Sequence, residues 1–144
     1  MRFWDASALI PLCLNEPRTP LLRKVTAEDP AITAWWGTPV ECCSAFARLR
    51  RDGVLTRADE DQARQVLTRL AAAWTEIQPG RDVREGAARV LLLHPLRTGD
   101  ALQLAAALLW ARGRATPGQL VCLDSRLRDA AQREGFLVIP ETTP

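Results

Sequence analysis

The sequence has few basic side chains other than arginine. It contains one lysine, Lys24, and one histidine, His94, and its other eighteen cationic side chains are arginines. A single histidine excludes a metal site built from several imidazoles. The net charge of +2 at pH 7 is too small to indicate nucleic-acid binding by itself. The arginine excess fits either a genomic bias towards Arg, Ala and Leu or guanidinium groups that bind phosphates, and composition does not separate the two.

Cysteine pairs with metal-ligand spacing and long apolar runs are also missing. The four cysteines include the adjacent Cys42 and Cys43 but no CxxC, so the pattern fits neither a zinc site nor a disulfide framework. We expect small buried thiols in a reducing compartment. No apolar run approaches the ~20 residues that a membrane span needs, and Asp5 interrupts the segment in which a signal peptide would have its apolar core. These absences predict a cytoplasmic protein that does not use a membrane.

Short apolar segments alternate with helical patterns along the chain. Helix signals are clearest in TPVECCSAFARLRRDG, where Thr38 is the predicted N-cap, Pro39 lies in the first turn and Gly53 ends the helix. In the strongly apolar helix of LRTGDALQLAAALLWARG, Thr98 is the predicted cap. Strands that alternate with helices predict an α/β fold with a parallel sheet between helical layers. The length fits one domain with a sizeable core, so we expect residues 1–144 to form a single domain. The predicted strands cover residues 2–4, 31–36, 75–78, 119–123 and 136–139.

Four acidic residues lie at the ends of predicted elements rather than on exposed helix faces. Asp5 directly follows the first predicted strand, and Asp124 directly follows the fourth. Glu41 and Asp100 each lie in the first turn of a predicted helix, and the helix that contains Asp100 is apolar almost all round. The carboxyl ends of parallel strands line the crevice where ligands bind in such sheets. We therefore expect these four carboxylates to share one cleft.

Each acid also has a purely structural interpretation, which the sequence leaves open. Glu41 fits a capping box with Thr38, and Asp100 suits a helix N-terminus because of the helix dipole. Asp5 and Asp124 can each cap the helix that follows. Four acids at one edge of a sheet, however, would repel one another and raise their pKa values unless a cation kept them ionised.

The sequence offers no candidate lysine or histidine for that role, so a hard divalent cation is the predicted counterion. Mg²⁺ and Mn²⁺ take oxygen ligands, retain waters and need only a few carboxylates. Such an ion can bind a phosphodiester, activate a water and stabilise the leaving oxygen. Ser7 lies two residues after Asp5, where it can hold a water or a phosphate oxygen, or can be an ordinary helix-start serine.

Four segments follow one another along the chain: MRFWDASALIPL, WWGTPVECCSAFARL, HPLRTGDALQLAAAL and VCLDSRLRDAAQREGFLVI. In order and spacing they resemble the PIN-domain ribonucleases and, within them, the VapC-like toxins of type II toxin–antitoxin systems. The resemblance spans nearly the whole chain and implies a three-layer α/β/α PIN-like domain with a parallel central sheet. It also implies that the four acids are catalytic and bind the metal, namely Asp5, Glu41, Asp100 and Asp124.

The resemblance further implies a Mg²⁺-dependent endoribonuclease, with Mn²⁺ as an alternative metal, in which a metal-activated water attacks the RNA phosphodiester. Its implied partners are an RNA substrate, a cognate antitoxin that plugs the cleft, and a second copy of the chain in a homodimer. Ser7 is the small polar residue of the first motif and a candidate for substrate binding. The candidates for binding substrate phosphates are Arg48, Arg97 and Arg126. Each of these arginines is equally suited to an exposed ion pair.

Other proteins with acids at strand ends fit the sequence less well. A phosphotransfer receiver needs a lysine at a later strand end, whereas Lys24 lies in an early predicted helix. A haloacid-type phosphatase needs a second aspartate where this chain has Ser7. A DNA or flap nuclease would need additional DNA-binding elements that the sequence does not suggest. The remaining alternative is a PIN fold that does not cleave and acts only as a protein- or RNA-binding partner; the presence of all four acids argues against it.

Overall fold

Strands and helices alternate throughout the part of the chain that the computed structural model describes, residues 1–142. All five predicted strands form, and their observed ends differ from the predicted ones by no more than two residues. The elements are β1 (Arg2–Trp4), α1 (Ala6–Cys13), α2 (Thr19–Glu28), β2 (Ile32–Trp35), α3 (Thr38–Arg51), α4 (Arg57–Ala71), β3 (Thr75–Ile77), α5 (Arg81–Leu93), α6 (Thr98–Ala111), β4 (Gln119–Val121), α7 (Ser125–Arg133) and β5 (Leu137–Ile139).

The strands of the described residues form one parallel sheet in the order β3-β2-β1-β4-β5. At its centre, Phe3 of β1 pairs with Thr33 of β2 on one side and with Leu120 of β4 on the other. The pairing continues past the end of β1, because the backbone N–H of Asp5 donates to the carbonyl of Val121 at 3.0 Å. All carboxyl ends of a parallel sheet share one edge, so the loops after β1 and β4 are neighbours there.

Apolar residues cover both faces of the sheet and form two core clusters. Phe3 and Leu120 belong to the cluster on one face, and Trp4 and Val121 belong to the cluster on the other, as the two-residue period of a strand requires. Helices α5, α6 and α7 bury apolar residues in the first cluster, and α1 to α4 bury theirs in the second. The predicted three-layer α/β/α arrangement with a parallel central sheet is therefore confirmed.

Two helices begin differently from the prediction. At α3 the N-cap is Gly37, not Thr38, and no side chain caps the helix. The alternative interpretation of Glu41, as part of a capping box with Thr38, is therefore wrong. The Thr38 hydroxyl instead accepts a hydrogen bond from the buried side chain of Gln103, at 2.9 Å. At α6 the predicted cap, Thr98, is already the first helical residue, and no side chain caps this helix either. Although α6 is strongly apolar, no helix within residues 1–142 is long and apolar enough to cross a membrane.

Candidate active site

Asp5 lies directly after β1 and is the N-cap of α1. Its carboxylate accepts hydrogen bonds from the backbone N–H of Ser7, at 2.9 Å, and from the Ser7 hydroxyl. The residue is buried, with 4% of its surface exposed. Burial raises the pKa of Asp5 and the negative charge of Asp100 adds to this, while the hydrogen bonds from Ser7 oppose it. The ionised form of Asp5 therefore needs a nearby positive charge.

Ser7 connects the loop after β1 to the loop after β4. Its hydroxyl accepts hydrogen bonds from the backbone N–H groups of Leu123, at 2.9 Å, and Asp124, at 3.3 Å, and donates to Asp5. A serine hydroxyl has one donor and two acceptor positions, so these three bonds use all of them. The Cys122 thiol joins the cluster, 3.6 Å from the Asp5 carboxylate and 3.7 Å from the Ser7 hydroxyl. Ser7 thus lies between two of the predicted acids, and its contact with substrate stays a prediction.

Asp124 follows β4 and is the N-cap of α7, where its Oδ1 atom accepts a hydrogen bond from the backbone N–H of Leu127 at 2.9 Å. The structural interpretation of this acid as a helix cap therefore agrees with the observed contacts. A carboxylate has about four lone-pair positions, so one cap bond leaves room for other ligands. Capping and metal binding are compatible at this residue.

Glu41, in the first turn of α3, lies against the start of α6. A Cβ atom added to Gly99 would be 3.8 Å from the Glu41 carboxylate, which is van der Waals contact. Burial raises the pKa of Glu41 to about 7, and the charges of Asp5 and Asp100 contribute to this rise. Three acids from separate segments of the chain therefore influence one another's ionisation.

Asp100, in the first turn of α6, lies between the acidic cluster and two exposed arginines. Burial raises its pKa and the charge of Asp124 contributes, while Arg97 and Arg126 act in the opposite direction. Neither arginine forms an ion pair with a carboxylate of residues 1–142. Both guanidinium groups are therefore free to bind an anion such as a phosphate.

The four predicted acids line one cavity, with a volume of about 260 Å³, at the carboxyl edge of the sheet. A second cavity, of about 350 Å³, shares three of these acids with the first. Arg48 lines the first cavity, whereas Arg97 and Arg126 line the second. The structure therefore places every residue that the sequence proposes for the site in or beside this pair of cavities, namely Asp5, Ser7, Glu41, Arg48, Arg97, Asp100, Asp124 and Arg126.

A larger cavity, of about 580 Å³, lies against α5, α6 and the end of α7. Its acids form ion pairs with arginines of the same chain: Glu134 with Arg89 at 2.9 Å, and Asp82 with Arg112 at 3.8 Å. Compensated charges give no electrostatic reason to bind a cation there. The acid-lined pair of cavities is therefore the better candidate for chemistry, although it is smaller.

The acids of the candidate site fit a hydrated divalent cation. Mg²⁺ and Mn²⁺ prefer oxygen ligands. Burial, with neighbouring negative charges, raises the pKa values of Asp5, Glu41 and Asp100, and a bound cation would favour their ionised forms. Within residues 1–142, no group of three or more His, Cys, Asp or Glu side chains is arranged to hold an ion directly. Mg²⁺ usually binds one or two protein carboxylates and keeps several waters. The cavity therefore fits an ion held by a pair of these acids, with water or phosphate oxygens as its other ligands.

Two polar residues near the site are absent from the sequence prediction. Gln103, on α6, is fully buried and contacts Thr38. Arg128, on α7, is also buried and donates to the carbonyl of Cys122 at 2.7 Å. The available signal was their spacing: Gln103 lies one turn after Asp100 and is the only polar side chain in the run ALQLAAALLW, and Arg128 lies one turn after the Asp124 cap.

No protein-family model matches the sequence, and a search of curated proteins finds no match. Solved structures, in contrast, match along the whole chain. A toxin–antitoxin complex from Klebsiella pneumoniae has 18% sequence identity and a TM-score of 0.66, and the match covers 100% of both chains. The Mycobacterium tuberculosis toxin VapC20, described as a Sarcin-Ricin loop cleaving toxin, has 18% identity and a TM-score of 0.67, again over 100% of both chains.

A protein from Pyrobaculum aerophilum has 20% identity and a TM-score of 0.67, and this match covers 96% of the present chain and 88% of the other. At such low identities the likeness shows the fold. That fold is the one implied by the resemblance of the sequence to VapC-like PIN domains.

Proposed function

We propose that this protein is a metal-dependent endoribonuclease that acts as the toxin of a type II toxin–antitoxin pair. The observation that carries the proposal is the meeting of four carboxylates from separate chain segments in one cavity. The raised pKa values of Asp5, Glu41 and Asp100 support a role for a divalent cation, and the fold shared with VapC20 supports cleavage of RNA. The carboxylates that bind the ion would come from these four acids, Asp5, Glu41, Asp100 and Asp124.

When bound, Mg²⁺ or Mn²⁺ would polarise a phosphoryl oxygen and lower the pKa of a water. The chain itself fixes the acids and binds the RNA strand. Ser7 and the backbone N–H groups of the helix starts hold Asp5 and Asp124 in place. Because the two cavities share acids but have different arginines, the strand can cross the acids with one phosphate near Arg48 and another near Arg97 and Arg126.

The same comparisons support two partners of the proposed toxin. One structural neighbour is described as cleaving the sarcin–ricin loop, which supports an RNA substrate. Another is a toxin–antitoxin complex, which supports an antitoxin protein that covers the acids. A single domain over residues 1–144, a homodimer and a cytoplasmic location complete the proposal.

The direct test is cleavage of RNA by the purified protein in Mg²⁺, with Asp100→Asn as the inactive variant. This substitution removes a charge from the cavity without removing volume, so we expect cleavage to be lost while the far-UV circular dichroism spectrum is unchanged. Asp129→Asn is the matched control, because Asp129 is exposed on α7 and lines neither cavity. EDTA should abolish wild-type cleavage, and excess Mg²⁺ should restore it.

Cleavage by the Asp100→Asn variant at the wild-type rate would refute the site assignment. A well-folded wild-type protein that binds RNA but leaves it intact with either metal would favour the alternative of a non-cleaving binding partner. In a bacterial host, expression of the wild-type chain alone should arrest growth, whereas expression of the Asp100→Asn variant should not.

A further inference from the structure

We propose that Gln103 and Thr38 are positioning residues that hold Glu41 in place against Asp100, by joining α6 to α3 inside the protein. The inference rests on the proposed metal-dependent cleavage, because it assigns a task to these residues in that same site. Neither residue lines the two cavities, so neither is proposed to touch RNA or metal.

The first observation is the contact itself. The Gln103 Nε2 atom donates to the Thr38 hydroxyl at 2.9 Å, across 65 positions of sequence, and both residues are fully or almost fully buried. Gln103 lies three residues after Asp100 on α6, and Thr38 lies three residues before Glu41 on α3. Residues three apart on a helix lie on one face. The bond therefore joins the two helix faces that carry the acids.

The second observation is that core packing alone does not explain an amide at position 103. Gln103 has no exposed surface, and its Oε1 atom has no hydrogen-bond partner within the described residues. A buried polar atom without a partner costs about 1–3 kcal/mol, whereas leucine or methionine would fill such a position at no comparable cost. Because Gln103 lowers the stability of the core, its presence there indicates a role other than packing.

The third observation concerns Glu41. Its carboxylate lies against the start of α6, 3.8 Å from the position that a Cβ atom would take on Gly99. The first turns of α3 and α6 therefore meet at Glu41. The Thr38–Gln103 bond lies close to this meeting point, three residues from Glu41 on α3 and three residues from Asp100 on α6.

The fourth observation explains why a hydrogen bond between α3 and α6 is needed here. Neither α3 nor α6 has a side-chain cap at its start, and each has an acid in its first turn, Glu41 and Asp100. Two like charges at this distance repel when no cation lies between them. The Thr38–Gln103 bond opposes separation of these two turns. It keeps Glu41 beside Asp100, so that these two carboxylates can bind one ion.

The test compares isosteric variants with a matched control. Thr38→Val and Gln103→Met remove the hydrogen bond with little change of volume, and Thr38→Ser restores a hydroxyl. Thr33→Val is the control, because Thr33 on β2 is also fully buried but its hydroxyl has no hydrogen-bond partner within the described residues. For each full-length variant, the measurements are the Mn²⁺ affinity by calorimetry, kcat and KM for a model RNA, and the melting temperature without metal.

We expect Thr38→Val and Gln103→Met to lower the Mn²⁺ affinity and kcat by about 10- to 100-fold, as is typical when a residue that orients a metal ligand is removed. The KM for RNA should stay within about 2-fold of the wild-type value, because the phosphate-binding arginines are unchanged. Thr38→Ser should recover most of the lost Mn²⁺ affinity and kcat. Thr33→Val should match the wild type in Mn²⁺ affinity, kcat and KM.

Each contrary result has one meaning. If the wild type binds and cleaves while Thr38→Val and Gln103→Met match Thr33→Val, the positioning role is wrong and the proposed function stands. A lower melting temperature with unchanged Mn²⁺ affinity and kcat would show that the bond is only structural, and this also overturns the inference. A wild-type protein that neither binds Mn²⁺ nor cleaves RNA would refute the proposed function, and the inference with it.

Discussion

The Ser7 hydroxyl accepts a hydrogen bond from the backbone N–H of Asp124, at 3.3 Å, across 117 positions of sequence. Ser7 lies at the start of α1 and Asp124 at the start of α7, so this bond joins the segments that carry the first and the last acid of the site. The contact is possible because β1 and β4 are neighbours in the sheet. Besides the β1–β4 pairing, one hydroxyl group therefore helps to fix the relative position of two acids at opposite ends of the chain.

The variant Ser7→Ala should destabilise the protein and weaken metal binding together. It leaves two partly buried backbone N–H groups, those of Leu123 and Asp124, without their acceptor, so we expect the free energy of unfolding to fall by about 1–3 kcal/mol. Because Asp5 also loses a donor, the Mn²⁺ affinity should fall by about 10-fold. Urea unfolding and calorimetry measure the two effects.

A suitable control is Thr26→Ala on α2, where the lost hydroxyl donates only to the neighbouring carbonyl of Arg23 on the protein surface. Its free energy of unfolding should change by less than about 0.5 kcal/mol. If Ser7→Ala keeps wild-type Mn²⁺ affinity, the hydroxyl does not position the acids.

The stability of the metal-free protein should decrease as the pH rises from about 5 to 7. The pKa of Glu41 is raised from its ordinary value of 4.5 to about 7 in the folded chain. Between these values the folded protein holds a proton that the unfolded chain has lost, so raising the pH favours unfolding. Above about pH 7 both states are ionised at Glu41 and its effect on stability is constant. The raised pKa values of Asp5 and Asp100 act in the same direction.

Thermal melts in EDTA at a series of pH values test this dependence, and Glu41→Gln should flatten it. The exposed Glu85→Gln, on α5, is the control that should leave it as it is. Saturating Mg²⁺ should raise the melting temperature most at high pH, since the ion binds the ionised carboxylates. A melting temperature that rises from pH 5 to 7 in EDTA would contradict the placement of Glu41.

Much of this fold follows from local patterns, which is why the sequence predicts it. The alternation of strands and helices depends on hydrophobic periodicity within each segment, and acids directly after strands, such as Asp5 and Asp124, fall at the sheet edge in any parallel arrangement. The capping box at Thr38 is wrong because a tertiary contact with Gln103 uses the hydroxyl that a local rule assigns to the helix start. Contacts between residues far apart in sequence have no local signature.

Arg97 and Arg126 should contribute to RNA binding rather than to the chemical step. Both are exposed, line the second cavity and form no ion pair with the acids of residues 1–142. Substitution of either one by alanine should raise the KM for RNA by roughly 5- to 10-fold at low salt and reduce the slope of log affinity against log salt by about 0.7. The value of kcat should change little.

The control for the arginines is Arg51→Ala, at the far end of α3 from Glu41. It removes the same charge at a distance from the site, so it should shift KM much less than the other two variants. Equal effects of all three substitutions would mean that the RNA responds to net charge only, and that the second cavity is not a phosphate-binding site.

Arg128 should be required for stability independently of metal. It is 6% exposed, and its guanidinium donates to the carbonyls of Cys122, at 2.7 Å, and Pro140, at 2.6 Å, which joins the ends of β4 and β5. A lysine ammonium is a compact donor that lacks this fork geometry, so we expect Arg128→Lys to lower the free energy of unfolding by about 2 kcal/mol. Arg133→Lys, on the exposed end of the same helix, should change it by less than about 0.5 kcal/mol. Arg128 lines neither cavity, so urea titrations with and without Mn²⁺ should show the same loss of unfolding free energy for Arg128→Lys. If Mn²⁺ instead restores the free energy of unfolding, this arginine belongs to the metal site.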